Sequence, residues 1–125
     1  QPDLPAVTIR DLLKATLRLR PDRILLGEVR GGEAFDLLQA LNTGHSGTLS
    51  TIHANSAQLA VSRFATCVLM SQVELPYKAI RASIAESLDL VIHLDRQKNK
   101  RLVTEFLRIK GYNPSEDVFE FEKLL

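Results

Sequence analysis

From Thr8 to Leu19 the apolar residues recur at helical spacing, with Ile9, Leu12, Leu13 and Leu17 on one face, and predict an amphipathic helix. Thr8 stands where a capping hydroxyl is needed, Asp11 offers an acidic near-equivalent of the capping box, and Pro21 stops the run. The pattern then changes. Arg23-Ile24-Leu25-Leu26-Gly27-Glu28-Val29 is apolar without alternation, which predicts a central strand buried on both faces. Gly31-Gly32 forms a turn, and Glu33 to Leu41 reads as a second helix with Ala34, Leu37, Leu38 and Leu41 inward, stopped by Asn42-Thr43-Gly44.

A second strand is predicted at Thr48 to Ala54. Asn55-Ser56 caps a third helix to about Met70, burying Ala57, Ala60, Val61, Phe64 and Val68. Leu75-Pro76 opens a fourth helix to about Ser87, with Ile80 and Ile84 inward; proline suits the first turn, where its missing N–H is not needed. From Leu88 to Leu94 the period becomes two, so a strand follows. Gln97 to Arg101 is a charged hairpin loop, Leu102 to Ile109 a returning strand, Gly111 to Ser115 a turn, and Val118 to Glu122 a last short strand. The order predicts an α/β fold: a parallel sheet with helix crossovers, then an antiparallel meander. No repeat, low-complexity segment or boundary divides residues 1–125, which read as one domain.

Composition narrows the classes. The 125 residues are 45% apolar and 25% charged, with a formal net charge of +1. These values are ordinary for a globular chain and argue against a dedicated nucleic-acid-binding module, whose affinity rests on a basic surface. The one cysteine, Cys67, cannot close an internal disulfide and lies among Ala65, Val68 and Leu69, as a buried structural thiol would. A reducing cytoplasm fits that usage. No apolar run approaches the ~20 residues that span a bilayer, so any membrane role is expected to be peripheral.

Three groups of residues could carry chemistry. Glu28 ends a buried strand, where open α/β sheets bind ligands; a carboxylate there can activate a water or hold magnesium through water. Equally, it can be a strand-end acid paired with Arg30 or capping the next helix. His53 closes the segment Gly44-His45-Ser46-Gly47-Thr48-Leu49-Ser50-Thr51-Ile52-His53 and is expected on the same sheet edge as Glu28. Its imidazole can bond a phosphate oxygen or water, or simply be a satisfied strand-end histidine. His45 and His53 lack the spacing and partners of a zinc site, and Gly44 to Gly47 lacks the Gly-Lys-Ser/Thr ending of a phosphate loop. Arg18 and Arg20 suit a helix C-terminus in any case, or can reach a phosphate across a subunit boundary. His93 alternates with strand apolars and reads as structural.

The run Leu17-Arg18-Leu19-Arg20-Pro21-Asp22-Arg23-Ile24-Leu25-Leu26-Gly27-Glu28-Val29-Arg30-Gly31 resembles the atypical Walker B segment of the secretion and conjugation traffic ATPases of the type II/type IV class, in its TrbB-like and CpaF-like branches. Gly44-His45 through Thr51-Ile52-His53-Ala54-Asn55-Ser56 resembles that family's His box. Similarity continues through Glu74-Leu75-Pro76 and Ser87-Leu88-Asp89-Leu90-Val91-Ile92, and is weakest after about Gly111.

The resemblance implies a RecA-like P-loop NTPase core, of which this is the C-terminal part, with ATP and Mg2+ as ligands of the parent protein. It implies a hexameric ring at the cytoplasmic face of the inner membrane, with membrane secretion or conjugation subunits as partners. Glu28 matches the catalytic glutamate, also holding Mg2+ through water. His53 matches the His-box histidine near the γ-phosphate. His45 and Thr51 match flanking motif positions, and these two with Arg18, Arg20 and Arg30 are carried as nucleotide-binding or sensing candidates. Gly27 stands where other P-loop enzymes carry an aspartate. No Gly-x-x-x-x-Gly-Lys-Ser/Thr occurs in the 125 residues. That loop is expected upstream of Gln1, so these residues alone are expected to be inactive and either marginally stable or self-associated. The alternative is a regulatory or assembly module that keeps the fold without catalysis.

Overall fold

A computed structural model describes residues 4–125; the opening Gln1-Pro2-Asp3 lies outside the described residues. The elements follow the expected order: α1 (Ile9–Arg18), β1 (Leu25–Leu26), α2 (Glu33–Asn42), β2 (Leu49–Ser50), α3 (Ala57–Leu69), α4 (Tyr77–Ser87), β3 (Leu90–Gln97), β4 (Lys100–Asn113) and β5 (Val118–Lys123). β1 pairs parallel with β2, in the register Leu25 to Leu49, and β3-β4-β5 form an antiparallel meander.

Local chemistry explains the helix ends. Thr8 and Asp11 form the reciprocal capping box of α1, Ser56 Oγ accepts from Leu59 N at the start of α3, and Gly44 at φ +94 takes the left-handed turn after α2. The helices bury the faces the spacing selects. Leu37, Leu38, Val61, Phe64, Val68, Ile80 and Ile84 build one core, which Val29 and, from β4, Ile109 join. Cys67 lies inside it, and burial pushes its thiol pKa up, as befits an inert packing residue. On α1 only Leu13 is buried. Ile9 and Leu12, expected inward, are exposed; α1 packs against α2, where Arg10 Nε lies 2.5 Å from Asp36 Oδ2.

The parallel strands differ most from expectation. Neither extends as far as the sequence runs 23–29 and 48–54, and β1 is not buried on both faces: Ile24 is buried but Leu25 is 72% exposed, as is Leu49 at 65%. Among the described residues β2 is the only ladder partner of β1, so the other edge of β1 is unpaired. The extended backbone nonetheless stays tied on either side of the ladder, through Leu49 N to Ile24 O at 3.0 Å and Val29 N to Thr51 O at 2.8 Å.

In the meander the strands run longer than the alternation marks. β4 continues through Gly111 to Asn113, so the turn falls at Pro114–Asp117 rather than at Gly111 to Ser115. Lys98 and Asn99 carry the hairpin between β3 and β4, both at positive φ (46 and 66), the backbone that two-residue hairpin loops require. One bulge places Thr104 out of register between the His93–Glu105 and Leu94–Val103 pairs.

β2 and β3 each leave one edge unpaired, and the two edges face a cleft of about 540 Å3. Val29, Leu37, Val61 and Phe64 contribute to its lining.

Candidate active site at the strand ends

Glu28 follows β1 by two residues and His53 follows β2 by three. Because the strands are parallel and in register, both leave the sheet at the same end. There His53 Nε2 lies 2.9 Å from Glu28 Oε1, and Arg30 Nε lies 2.8 Å from Glu28 Oε2. The carboxylate is thus the hub, with one partner on each oxygen. It is also the most sheltered of the three: its side chain is 23% exposed, against 85% for His53 and 78% for Arg30. Two exposed partners around a sheltered acid can swing aside at little cost, since exposed ion pairs contribute at most about 1 kcal/mol.

The loop after β1 is built to hold this carboxylate still. Val29 is buried and bonded to Thr51, just past β2. Glu33 Oε1 accepts from Arg30 N at 2.5 Å and Gly31 N at 3.0 Å. Burial pushes the Glu33 pKa up, but the backbone N–H bonds from Arg30, Glu33 and Gly31 outweigh it and hold the carboxyl below its ordinary value. Gly32 packs against the end of α3, where an added Cβ would meet Ser71 Cα at 3.1 Å. Thr51 donates from Oγ1 to the Gly27 carbonyl at 2.6 Å, fixing the peptide just before Glu28.

The remaining sequence candidates divide. Arg30 and Thr51 belong to the cluster. His45 does not touch it: four residues before β2, it closes the C-terminal end of α2, with His45 N and Nδ1 each near Ala40 O at 3.3 and 3.2 Å. Arg18 ends α1 and Arg20 follows it at φ 52; both are exposed on the approach to β1, the end opposite Glu28, and no ion pair ties them to the cluster among the described residues. An open concavity of about 780 Å3 adjoins the site, lined by Arg30, His53, Asn55, Arg63, Met70 and Tyr77 among others.

Three supporting residues escape the sequence reading. Glu33 follows the turn it stabilises, and no spacing rule marks it. Glu105 Oε2 accepts from Ala57 N at 2.5 Å, and His93 reaches Ala54 O at 3.3 Å through Nε2. Those two contacts span 48 and 39 residues, so only the tertiary fold reveals them.

Among the described residues no group of three or more His, Cys, Asp or Glu side chains converges as a metal site, and no helix is long and apolar enough to cross a membrane.

The arrangement has close relatives. The conjugal transfer protein TrbB of Rhizobium radiobacter is 42% identical over 106 residues, 85% of this chain and 32% of its own length. The type IV secretion system protein PtlH of Bordetella pertussis is 47% identical over 95 residues, 74% of this chain and 28% of its own. A crystal structure of the VirB11 ATPase from the Brucella suis type IV secretion system, in complex with sulphate, superposes with a TM-score of 0.78 at 36% identity, over 82% of this chain and 32% of that one. The chain therefore spans about a third of the length of these relatives. The model of the family described as type II/IV secretion system protein matches residues 3–116, nearly the whole sequence, and the chain belongs to that family.

Proposed function

We propose that these residues form the Walker B and His-box half of a RecA-like ATPase domain, in a parent protein that hydrolyses ATP to drive type IV secretion, conjugation or pilus assembly. The observation that carries this reading is the Glu28 carboxylate, sheltered at the shared end of two parallel strands and flanked by His53 and Arg30. Family membership and the likeness to a VirB11 ATPase support it.

In this reading Glu28 is the general base. Each of its oxygens accepts from one partner and keeps a second lone pair, so an attacking water bonds the carboxylate there, and His53 and Arg30 turn toward the phosphates. The high exposure of both partners leaves them free to do so. His53 then bonds the γ-phosphate region through Nε2, and Arg30 offers a guanidinium to anionic oxygen. Thr51 and Glu33 keep the two loops in place. His45, Arg18 and Arg20 lie outside this cluster; a role for the two arginines is reserved for contact with a neighbouring subunit.

Mg2+ keeps most of its waters and binds through one or two carboxylates plus substrate phosphates. A lone acid such as Glu28 fits an outer-sphere contact of that kind. When bound with ATP, the ion neutralises charge on the phosphates.

The cleft between β2 and β3 supports the RecA-like topology. Strands stand about 4.8 Å apart, sheets pack about 10 Å apart and each residue advances about 3.3 Å, so one strand residue fills roughly 160 Å3. A cleft of about 540 Å3 with an unpaired edge on each side admits one short strand, which would join both sheets into one. We assign this slot to the strand that leads into the phosphate loop of the parent. Without the loop, the 125 residues bind Mg-ATP negligibly. A hexameric parent on the cytoplasmic face of the inner membrane, working with membrane subunits of the secretion machinery, completes the proposal.

Glu28→Gln in the full-length parent tests it. ATP binding should persist while turnover falls by ~10²-fold or more, the scale of a lost general base. Turnover within a few-fold of wild type would reduce Glu28 to a strand-end acid paired with Arg30, and would favour the regulatory module.

A further inference from the structure

The geometry points to His93 and Glu105 as a two-residue clamp through which the C-terminal meander positions His53. The inference rests on the proposed role of His53 in hydrolysis.

His93 on β3 and Glu105 on β4 are direct cross-strand partners. From that one rung they hold the two ends of the segment that connects His53 to α3. His93 Nε2 meets the Ala54 carbonyl, which immediately follows His53, at 3.3 Å. Glu105 Oε2 accepts the Ala57 N–H, at the first position of α3, at 2.5 Å. A carbonyl can only accept, so His93 Nε2 carries a proton. The other ring nitrogen, Nδ1, lies 3.0 Å from Thr104 Oγ1, the hydroxyl of the bulged residue. The bulge therefore has a use: it brings Thr104 beside the ring and fixes which nitrogen faces Ala54.

His53 itself is 85% exposed and, among the described residues, its ring meets one partner, Glu28. Little else restrains its side chain, so its position follows from the backbone on either side. Thr51 secures the residue two before it through Gly27. The clamp secures the residues after it. Neither His93 nor Glu105 has an ion-pair partner among the described residues, and their contacts go to this segment and, for His93, to Thr104. A catalytic histidine displaced by about 1 Å can cost about a hundredfold in rate, so loosening its anchor should be visible in turnover.

The test is a double-mutant cycle in the full-length protein. Glu105→Ala should lower kcat about tenfold with ATP affinity unchanged, and Glu105→Gln, which keeps an acceptor for Ala57 N–H, should recover most of it. In a His53→Ala background, Glu105→Ala should change kcat by less than about twofold. In nucleotide-free protein, deuterium exchange should rise in the peptide spanning residues 53–60 and not elsewhere in the domain. Equal losses with and without His53, or exchange raised throughout the domain, would make Glu105 a general stability residue and overturn the clamp. If Glu105→Ala does not fold, His93→Asn, too short to reach Ala54, is put through the same cycle. If His53→Ala alone leaves turnover unchanged, it is the proposed role of His53 that fails, and the exchange result still decides whether the clamp holds the segment.

Discussion

Thr51 Oγ1 donates to the carbonyl of Gly27 at 2.6 Å, a side-chain bond that runs across the parallel pair one residue ahead of Glu28 and two residues ahead of His53. The two strands therefore leave the sheet already fastened together. Removing the hydroxyl with Thr51→Val should cost about 1 kcal/mol of stability, the ordinary worth of one such bond, while Thr51→Ser should retain most of it. Thermal melts of the two variants decide the point; equal melting temperatures would mean that the bond carries no weight.

Arg81 joins α4 to the tip of the meander. Its guanidinium carbon lies 4.6 Å from the centroid of Phe119 and 5.4 Å from those of Tyr77 and Tyr112, and its Nε lies 3.2 Å from Asp117 Oδ1. The side chain is 12% exposed, so these contacts are largely desolvated. Arg81→Ala should destabilise by about 2 kcal/mol, and Arg81→Lys should recover only part, because an ammonium cannot lie flat among three rings. Urea denaturation curves measure both.

Two glycines, Gly27 just after β1 and Gly32 at the start of α2, should respond differently to alanine. At Gly32 a Cβ would meet the backbone of Ser71 at 3.1 Å, and backbone does not yield as a side-chain tip does. Gly32→Ala should cost about 1–3 kcal/mol. At Gly27 nothing lies within 4 Å, so Gly27→Ala should stay within about 0.5 kcal/mol of wild type. A reversed ranking in a thermal-shift assay would contradict the packing of this turn against α3.

Glu33 should make the site loop acid-sensitive. Its folded pKa is depressed, so its contribution is present above the unfolded value, near 4.5, and is lost as pH falls through the lower folded value. Glu33→Gln should lose stability at pH 7 and show a shallower decline below pH 4.5 than wild type. Melting temperatures taken from pH 7 to pH 3 test the sign; parallel curves would remove the linkage.

Much of this fold is legible in residue spacing. The inward faces of α2, α3 and α4 follow from apolar positions three and four apart, and the alternation from Leu88 to Leu94 marks β3. Glu28 and His53 meet because two parallel strands of matching register end together, which the order strand-helix-strand implies. What spacing cannot convey is how a strand is covered. The run Ile24-Leu25-Leu26 asks for shelter on both faces, whereas Leu25 is 72% exposed, since cover depends on what neighbours the strand. Spacing likewise says nothing of Glu105, whose neighbours along β4 give no hint that it reaches Ala57. His45 stands apart from His53 for a related reason: the segment that carries both runs the length of β2, so the two histidines emerge at opposite ends.

The slot between β2 and β3 bears on the order in which the molecule is made. About 40 residues separate Ser50 from Leu90, and at about 5–20 residues per second a ribosome takes roughly 2–8 s to synthesise them. In the proposed parent the strand assigned to this slot precedes β2 in the chain, so it is made before both walls and can pair with β2 while β3 is still to come. The meander then closes the far edge of that strand, and the sheet is completed from its C-terminal end.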